Sequence, residues 1–126
     1  MFIESIMKRR LVTLKARDTI EDALNIMVDN NINGAPVVDD ENNLKGMIVK
    51  ADIYRFLMDP GHYKSCPVEW VMTKDVVTAS REEDIISLAK RLRDKHIIAI
   101  PIVEHNKVIG IISMEDVVDY LIEKSI

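Results

Sequence analysis

The chain contains the same pattern of residues twice. Residues 6–59 and 71–123 match in register, first at a shift of 65 and, after one residue is lost from a turn, at a shift of 64. The matched pairs include Thr13 with Thr78, Ile32 with Ile97, Pro36 with Pro101, Gly46 with Gly110 and Asp52 with Asp116. A repeat kept in register over a whole unit indicates two copies of one supersecondary unit. We place the copies at residues 1–62 and 63–126.

Each copy predicts the order strand, helix, strand, strand, helix from its apolar spacing and turn residues. In the first copy these are Leu11–Leu14, a helix from Asp18 to Asn30, Ala35–Val38, Leu44–Val49 and Ala51–Met58. In the second they are Val76–Thr78, a helix capped by Ser80 with Glu83, Ile97–Val103, Val108–Ile112 and a helix opened by Ser113. Because units of about 60 residues rarely bury a sufficient core alone, we expect the copies to share one.

Composition excludes several classes of function. A net charge of −4 and a pI near 5.4 argue against nucleic-acid binding and an anionic membrane surface, both of which favour a basic face. No apolar run approaches the roughly 18 residues of a membrane span. The single cysteine, Cys66, cannot form an intrachain disulfide, which fits a reducing compartment. We therefore expect a cytoplasmic protein.

No catalytic constellation is visible in the sequence. His62, His96 and His105 do not lie at metal-ligand spacing with Cys66 or a carboxylate pair, and the four glycines are too far apart to form a phosphate loop. No serine or cysteine lies in a nucleophile-elbow context. We expect no metal and no enzymatic activity.

The sharpest local pattern ends each copy, at 46–52 and 110–116, with a glycine, an apolar strand and an acid in the first helical turn. Ser113 and Asp116 have the spacing of a capping box. In the first copy Val49 has no hydroxyl, so Asp52 lacks a capping partner. A carboxylate there can accept hydrogen bonds from the two neighbouring hydroxyls of a ribose, while a hydroxyl and free helix-end amides suit a phosphate.

These motifs, in this order and twice, resemble a tandem pair of CBS domains, also called a Bateman module. The resemblance runs from about Ile6 to Glu123 and is carried by 33–38, 98–103, the two acidic motifs and the openings Ile6-Met7 and Val71-Met72-Thr73. It implies an α+β fold of two β-α-β-β-α repeats related by a pseudo-twofold axis, with sheets packed together and helices outside. It also implies a non-catalytic regulatory module that binds AMP, ADP, ATP or S-adenosylmethionine between the repeats, forms a homodimer, and acts on an effector protein that the sequence does not name.

The resemblance implies two ligand sites, each built from both copies. The residues of site one would be Lys8, Thr13, Ile32, Asn33, Gly34, Ala35, Ile111, Ser113 and Asp116. Asp116 would hold the ribose, Ser113 and Lys8 the phosphate, and the backbone of 32–35 the adenine.

Site two would contain Asp52, Thr73, Thr78, Ile97, Ile98, Ala99 and Ile100. It departs from the family pattern because Val49 stands where a serine or threonine is usual, and Ile98 makes it more apolar. We therefore expect site one to bind more tightly, and site two to be empty or to prefer a ligand with less phosphate.

One alternative stays open at this stage. The closing helices carry apolar side chains on more than one face, namely Tyr54, Phe56 and Leu57 in one helix and Val118, Tyr120 and Leu121 in the other. One face must pack on the core, and the rest could form an interface. The chain could then be a module for dimerisation or partner docking that needs no ligand.

Overall fold

The computed structural model describes residues 1–125, which form two compact units. The central unit consists of Val12–Val76, and the terminal unit combines Met1–Leu11 with the chain from Val77 onward. Each unit contains two helices and one two-stranded antiparallel sheet, so the predicted α+β class is confirmed. No helix within residues 1–125 is long and apolar enough to cross a membrane.

The central unit contains helix α1 (Ile20–Asp29), strands β1 (Gly34–Val38) and β2 (Leu44–Val49), and helix α2 (Lys50–Leu57). A capping box starts α1: Thr19 Oγ1 accepts the Asp22 N–H at 3.0 Å, and Asp22 accepts the Thr19 N–H at 3.3 Å. The sequence placed this start one residue too early. Asp18 instead accepts the Lys15 N–H at 2.8 Å and closes the preceding turn.

The terminal unit contains helix α3 (Ile85–Lys95), strands β3 (Ala99–Glu104) and β4 (Lys107–Ser113), and helix α4 (Met114–Lys124). The predicted Ser80 cap for α3 was wrong, because Asp84 caps that helix through the Ile86 N–H at 3.0 Å. Glu83 accepts the Ser80 N–H at 2.7 Å and so closes a turn before the helix. The predicted capping box at the start of α4 is confirmed.

The predicted first strand of each copy was also wrong. Leu14 forms a single parallel bridge with Val37, and Ala79 forms the equivalent bridge with Ile102. The Leu14 N–H donates to Pro36 at 3.0 Å and the Leu14 carbonyl accepts from Val38 at 2.8 Å. The chain then turns at once through the Lys15–Asp18 bond, so the segment is too short to continue as a strand.

The opening segment of each repeat packs on the body of the other repeat. Lys8, from the first repeat, bridges Ile111 on β4, and Thr73, which follows the second repeat's short 3₁₀ helix Val68–Trp70, bridges Met47 on β2. The two bonds between Lys8 and Ile111 measure 2.9 and 3.1 Å, and those between Thr73 and Met47 measure 2.8 and 2.9 Å. The spatial units therefore do not coincide with the sequence repeats 1–62 and 63–126.

A glycine permits each of these close approaches. A Cβ on Gly46 would lie 2.7 Å from Met72 Sδ and 2.9 Å from the Thr73 carbonyl oxygen. A Cβ on Gly110 would lie 2.7 Å from Met7 Sδ. The glycine of each acidic motif is therefore required by packing, independently of any ligand.

Buried apolar residues form two clusters, one in each unit. The central cluster includes Leu14, Ile20, Met27, Ile48 and Val68, and the terminal cluster includes Ile3, Leu88, Ile100, Ile102 and Ile112. The expectation of one shared core was therefore wrong in number, since there are two clusters and each combines residues of both sequence copies. Ile3 and Val68 lie in the exchanged opening segments, so each opening segment adds apolar area to the core it joins.

We expect Gly46→Ala to destabilise the protein by about 1–2 kcal/mol, because its methyl group meets a backbone oxygen that cannot move aside. Gly110→Ala should cost less, since the nearest backbone oxygen, that of Lys8, is 3.2 Å away, and the methionine sulfur at 2.7 Å is flexible at both positions. Urea unfolding of both variants measures the difference. Equal costs would contradict this account of the close approach.

Candidate functional site

Helix α4 begins at the residues predicted to hold a ligand. Ser113 Oγ accepts the Asp116 N–H at 3.2 Å, and Asp116 Oδ2 accepts the Ser113 N–H at 2.8 Å. These two bonds fix the orientation of the Asp116 carboxylate, and the side chain remains 12% exposed to solvent. The Ser113 hydroxyl accepts one bond and retains its own hydrogen for donation.

Lys8 lies beside this carboxylate. Its Nζ is 3.7 Å from Asp116 Oδ1, the oxygen that the capping box does not use. Its backbone bridges Ile111 at the same point. The terminal unit thus brings together four of the residues predicted for site one: Lys8, Ile111, Ser113 and Asp116. We call these four residues the acidic cluster of the terminal unit.

The equivalent position in the central unit has different chemistry. Val49 caps α2 without a side-chain hydrogen bond, which confirms that Asp52 lacks a capping partner. The Asp52 carboxylate, 29% exposed, pairs instead with Arg55 one turn further along its own helix. Thr73 occupies the place that Lys8 has in the terminal unit, so the opening segment brings no charge to this position.

The loop before each sheet is bonded to the start of the closing helix in the same unit. The Ile98 carbonyl accepts the Met114 N–H at 2.8 Å, and the Asn33 carbonyl accepts the Lys50 N–H at 2.8 Å. Asn33 and Ile98 are exposed, whereas Ala35 and Ile100 are buried. Each of the loops 32–35 and 97–100 therefore presents its second residue to solvent and its last to a core.

The remaining predicted residues divide between the units. Of site one, Thr13 and Ile32, Asn33, Gly34 and Ala35 belong to the central unit. Of site two, Asp52 and Thr73 belong to the central unit, and Thr78, Ile97, Ile98, Ala99 and Ile100 to the terminal unit. The composite sites stay predictions.

The surroundings of Glu83, Asp39 and Asp84 lower the pKa values of their carboxyl groups. Hydrogen bonding from Arg91, with Nη2 2.5 Å from Oε1, lowers the pKa of Glu83. The backbone N–H of Asn43 lowers the pKa of Asp39, and the N-terminal ammonium lowers the pKa of Asp84. Each shift has a structural cause: a salt bridge, a turn and a chain terminus.

Among residues 1–125, no group of three or more His, Cys, Asp or Glu side chains is arranged to hold a metal ion.

Sequence reasoning missed the ion pairs of the two acids. The Arg55–Asp52 pair lies at i, i+3 spacing on a helix, so the sequence contained that signal. The Lys8–Asp116 pair joins residues from opposite ends of the chain, and no local pattern could have indicated it.

Replacing Glu83 with glutamine should lower the free energy of unfolding by about 1 kcal/mol at pH 7, since the charge-assisted bond to Arg91 is lost. Because folding lowers the pKa of Glu83 from its ordinary value of 4.5, this stabilisation is present above that pH and is lost as the pH falls through the folded-state pKa. Urea unfolding at pH 7 and at acid pH measures the gap between wild type and Glu83→Gln.

The exposed neighbour Glu82, replaced with glutamine, is the matched control and should change little at either pH. If the difference in free energy of unfolding between wild type and Glu83→Gln were as large at acid pH as at pH 7, the stabilisation by Glu83 would not be ionic.

Comparisons with known proteins agree on one family. The family model for the CBS domain matches residues 3–59 and 68–123. A homoserine O-acetyltransferase of Methanococcus vannielii is 33% identical over 116 residues, which cover 91% of this chain and 24% of that enzyme. The chain thus spans about a quarter of the length of that curated relative.

Solved structures show the same fold. The CBS domain pair of protein MJ0100, crystallised with 5′-methylthioadenosine and S-adenosyl-L-methionine, has a TM-score of 0.91 at 27% identity and covers 98% of both chains. An uncharacterized conserved protein from Pyrococcus horikoshii has a TM-score of 0.87 at 26% identity, covering 95% of this chain and 91% of that one.

Proposed function

The chain belongs to the CBS-domain family, and from that premise we propose that it is a non-catalytic regulatory module that binds an adenosine-containing ligand. The ligand class comprises AMP, ADP, ATP and S-adenosylmethionine. The observation that carries the proposal is the acidic cluster of the terminal unit, where a fixed carboxylate, a hydroxyl and an amine lie together. The MJ0100 domain pair, crystallised with 5′-methylthioadenosine and S-adenosyl-L-methionine, supports this ligand class.

The carboxylate of Asp116 suits a ribose. Its Oδ2 is occupied by the capping bond, so its orientation is set before any ligand arrives. Its Oδ1 lies 3.7 Å from Lys8 Nζ, takes no part in the capping box and retains lone pairs for the hydroxyls of a ribose. Preorganisation of this kind reduces the entropy lost on binding.

Lys8 suits an anionic group on the same ligand. Its side chain is 66% exposed, and an exposed ion pair contributes only about 0–1 kcal/mol, so little is lost when Lys8 leaves Asp116. A phosphate can accept from the Lys8 amine and from the Ser113 hydroxyl together. The place of Thr13 in site one and the adenine contacts predicted for the backbone of 32–35 stay part of this proposal.

Site two should bind more weakly, if it is occupied. Asp52 is paired with Arg55, Val49 offers no hydroxyl, and Thr73 brings no cation where Lys8 stands in the other unit. We propose that any ligand there carries less negative charge than the ligand of site one. The cytoplasmic location predicted from the sequence belongs to the same proposal.

An adenosine ligand of the right kind should raise the melting temperature, since it binds the native state only. At a ligand concentration of about 100 times Kd, the free energy of unfolding rises by about 2.7 kcal/mol. Asp116→Asn should remove most of this shift, because an amide accepts fewer bonds from a ribose than a carboxylate. Thermal melting against AMP, ADP, ATP and S-adenosylmethionine is the measurement.

Asp52→Asn is the matched control and should keep most of the shift. The ligand-induced shift is compared rather than the melting temperature itself, because Asp116 also contributes to the helix cap. A panel in which no compound shifts melting at millimolar concentration would overturn the proposal.

A second function is dimerisation or partner docking without a ligand. Helix α4 exposes one apolar stripe, Met114, Val118, Leu121 and Ile122, at the i, i+4, i+7, i+8 spacing of a single face. On α2, Tyr54 is exposed, whereas Phe56 and Leu57 are partly buried against the central core. We propose that the α4 stripe is the contact of a homodimer.

We expect sedimentation velocity to show a dimer for the wild type and a monomer for Leu121→Glu, since a charge on this stripe would be buried at the contact. Ile86→Glu, on the exposed face of α3, is the control and should leave the dimer intact. A dimer that survives Leu121→Glu would place the contact elsewhere. A dimer whose stability is unchanged by adenosine compounds and by Asp116→Asn would favour the second function.

A further inference from the structure

The central unit contains a cavity of about 500 Å³ that none of the predicted site residues lines. Basic side chains from three segments surround it: Lys15 and Arg17 before α1, Lys45 on β2, and Lys74 after the 3₁₀ helix. Ala16 and its apolar neighbours Val38 and Met72 also line it. Its volume lies within the range of about 300–1,000 Å³ that is usual for small-molecule sites.

The acids around this cavity neutralise the basic side chains only in part. Asp40 is shared by Lys15 at 3.5 Å and Arg17 at 3.8 Å. The carboxylate of Asp39 accepts both backbone and side-chain bonds within its own turn, and Lys45 approaches it only to 3.9 Å. Within residues 1–125, Lys74 forms no ion pair. Asp40 serves two basic side chains and Asp39 is bonded within its own turn, so these two acids leave part of the positive charge unneutralised.

A third acid, Glu69, also lines the cavity, and it too forms no ion pair within the described part of the chain. The lining therefore has four basic and three acidic side chains, a net charge of +1.

In the terminal unit, an arginine side chain occupies the position equivalent to this cavity. By the repeat register, Arg81 corresponds to Ala16, Glu4 to Glu69 and Glu104 to Asp39. The Arg81 guanidinium lies 3.6 Å from Glu4 and 3.4 Å from Glu104 and links the two acids.

The backbones match at this position. The Arg81 carbonyl accepts the Glu4 N–H at 3.0 Å, and the Ala16 carbonyl accepts the Glu69 N–H at 3.0 Å. The short side chain of Ala16 therefore leaves open the space that Arg81 occupies in the other unit. The cations also differ, since Ser80 and Ile109 stand where the central unit has Lys15 and Lys45.

We propose that the cavity is a binding site for a small molecule bearing a phosphate or another doubly charged anionic group. Arg17, Lys45 and Lys74 contact the anion, because guanidinium and ammonium groups are the usual partners of phosphate oxygens. Lys15 is fixed by its bond to the Asp39 carbonyl, at 2.8 Å, and sets the positive potential from one side. The terminal unit has no such site, since Arg81 takes its place.

The test is a titration of the whole chain with pyrophosphate, followed by amide NMR at constant ionic strength. Saturable shifts are expected in 15–17, 39–45 and 69–74. Ala16→Arg should weaken binding at least about tenfold, because its guanidinium would fill the space of the anion, as Arg81 fills the equivalent space between two acids in the terminal unit. Lys74→Gln should weaken binding by a similar factor, because one charge-assisted contact is lost. Arg81→Ala is the matched control and should leave these shifts unchanged.

Several outcomes would overturn the proposal. These are no saturable shift at millimolar pyrophosphate, shifts that chloride reproduces at the same ionic strength, or shifts that survive both Ala16→Arg and Lys74→Gln. If Ala16→Arg does not fold, Lys74→Gln and Lys45→Gln carry the test. Asp116→Asn should not affect pyrophosphate binding at this cavity, and excess adenosine should not compete with pyrophosphate. Failure of the cavity proposal can therefore be distinguished from failure of the adenosine-site proposal.

Discussion

The structure depends on the pairing of each opening segment with the return strand of the other repeat. Two short backbone bridges, Lys8 with Ile111 and Thr73 with Met47, make this pairing, and the glycines beside them allow it. The exchange also places Lys8, from one end of the chain, 3.7 Å from Asp116 at the other. The same contact that completes each core therefore assembles the acidic cluster of the terminal unit.

The two units share a backbone and differ in the side chains at equivalent positions. A capping box with a nearby lysine in the terminal unit becomes an uncapped helix with an internal ion pair in the central unit. An arginine that links two acids becomes an alanine beside an open basic cavity. Duplication supplies two copies of every position, and substitution then gives each copy a different charge and a different space.

Local patterns predicted the parts of the fold that local forces determine. Alternating apolar residues located the hairpin strands, with β2 correct at both ends, and the Ser113–Asp116 spacing predicted the cap of α4. The start of α3 was misplaced because Ser80 and Glu83 have capping-box spacing but close a turn instead. The first strands failed because a single bridge and an immediate turn leave no room for a ladder. The repeat register shows which residues are equivalent but not which copy they pack against, so it could not predict the exchange or the two cores. Only the family resemblance placed Lys8 with Asp116, as members of site one, and the direct ion pair between them was missed.

The most direct test of the account is a crystal structure of the chain with the adenosine compound that most raises its melting temperature. We predict ribose hydroxyls on Asp116 Oδ1, with the Asp116 bond to Ser113 intact and Lys8 moved from the carboxylate to the anionic group of the ligand. A ligand bound elsewhere, with Lys8 still paired to Asp116, would contradict the central claim that the acidic cluster of the terminal unit is the adenosine site.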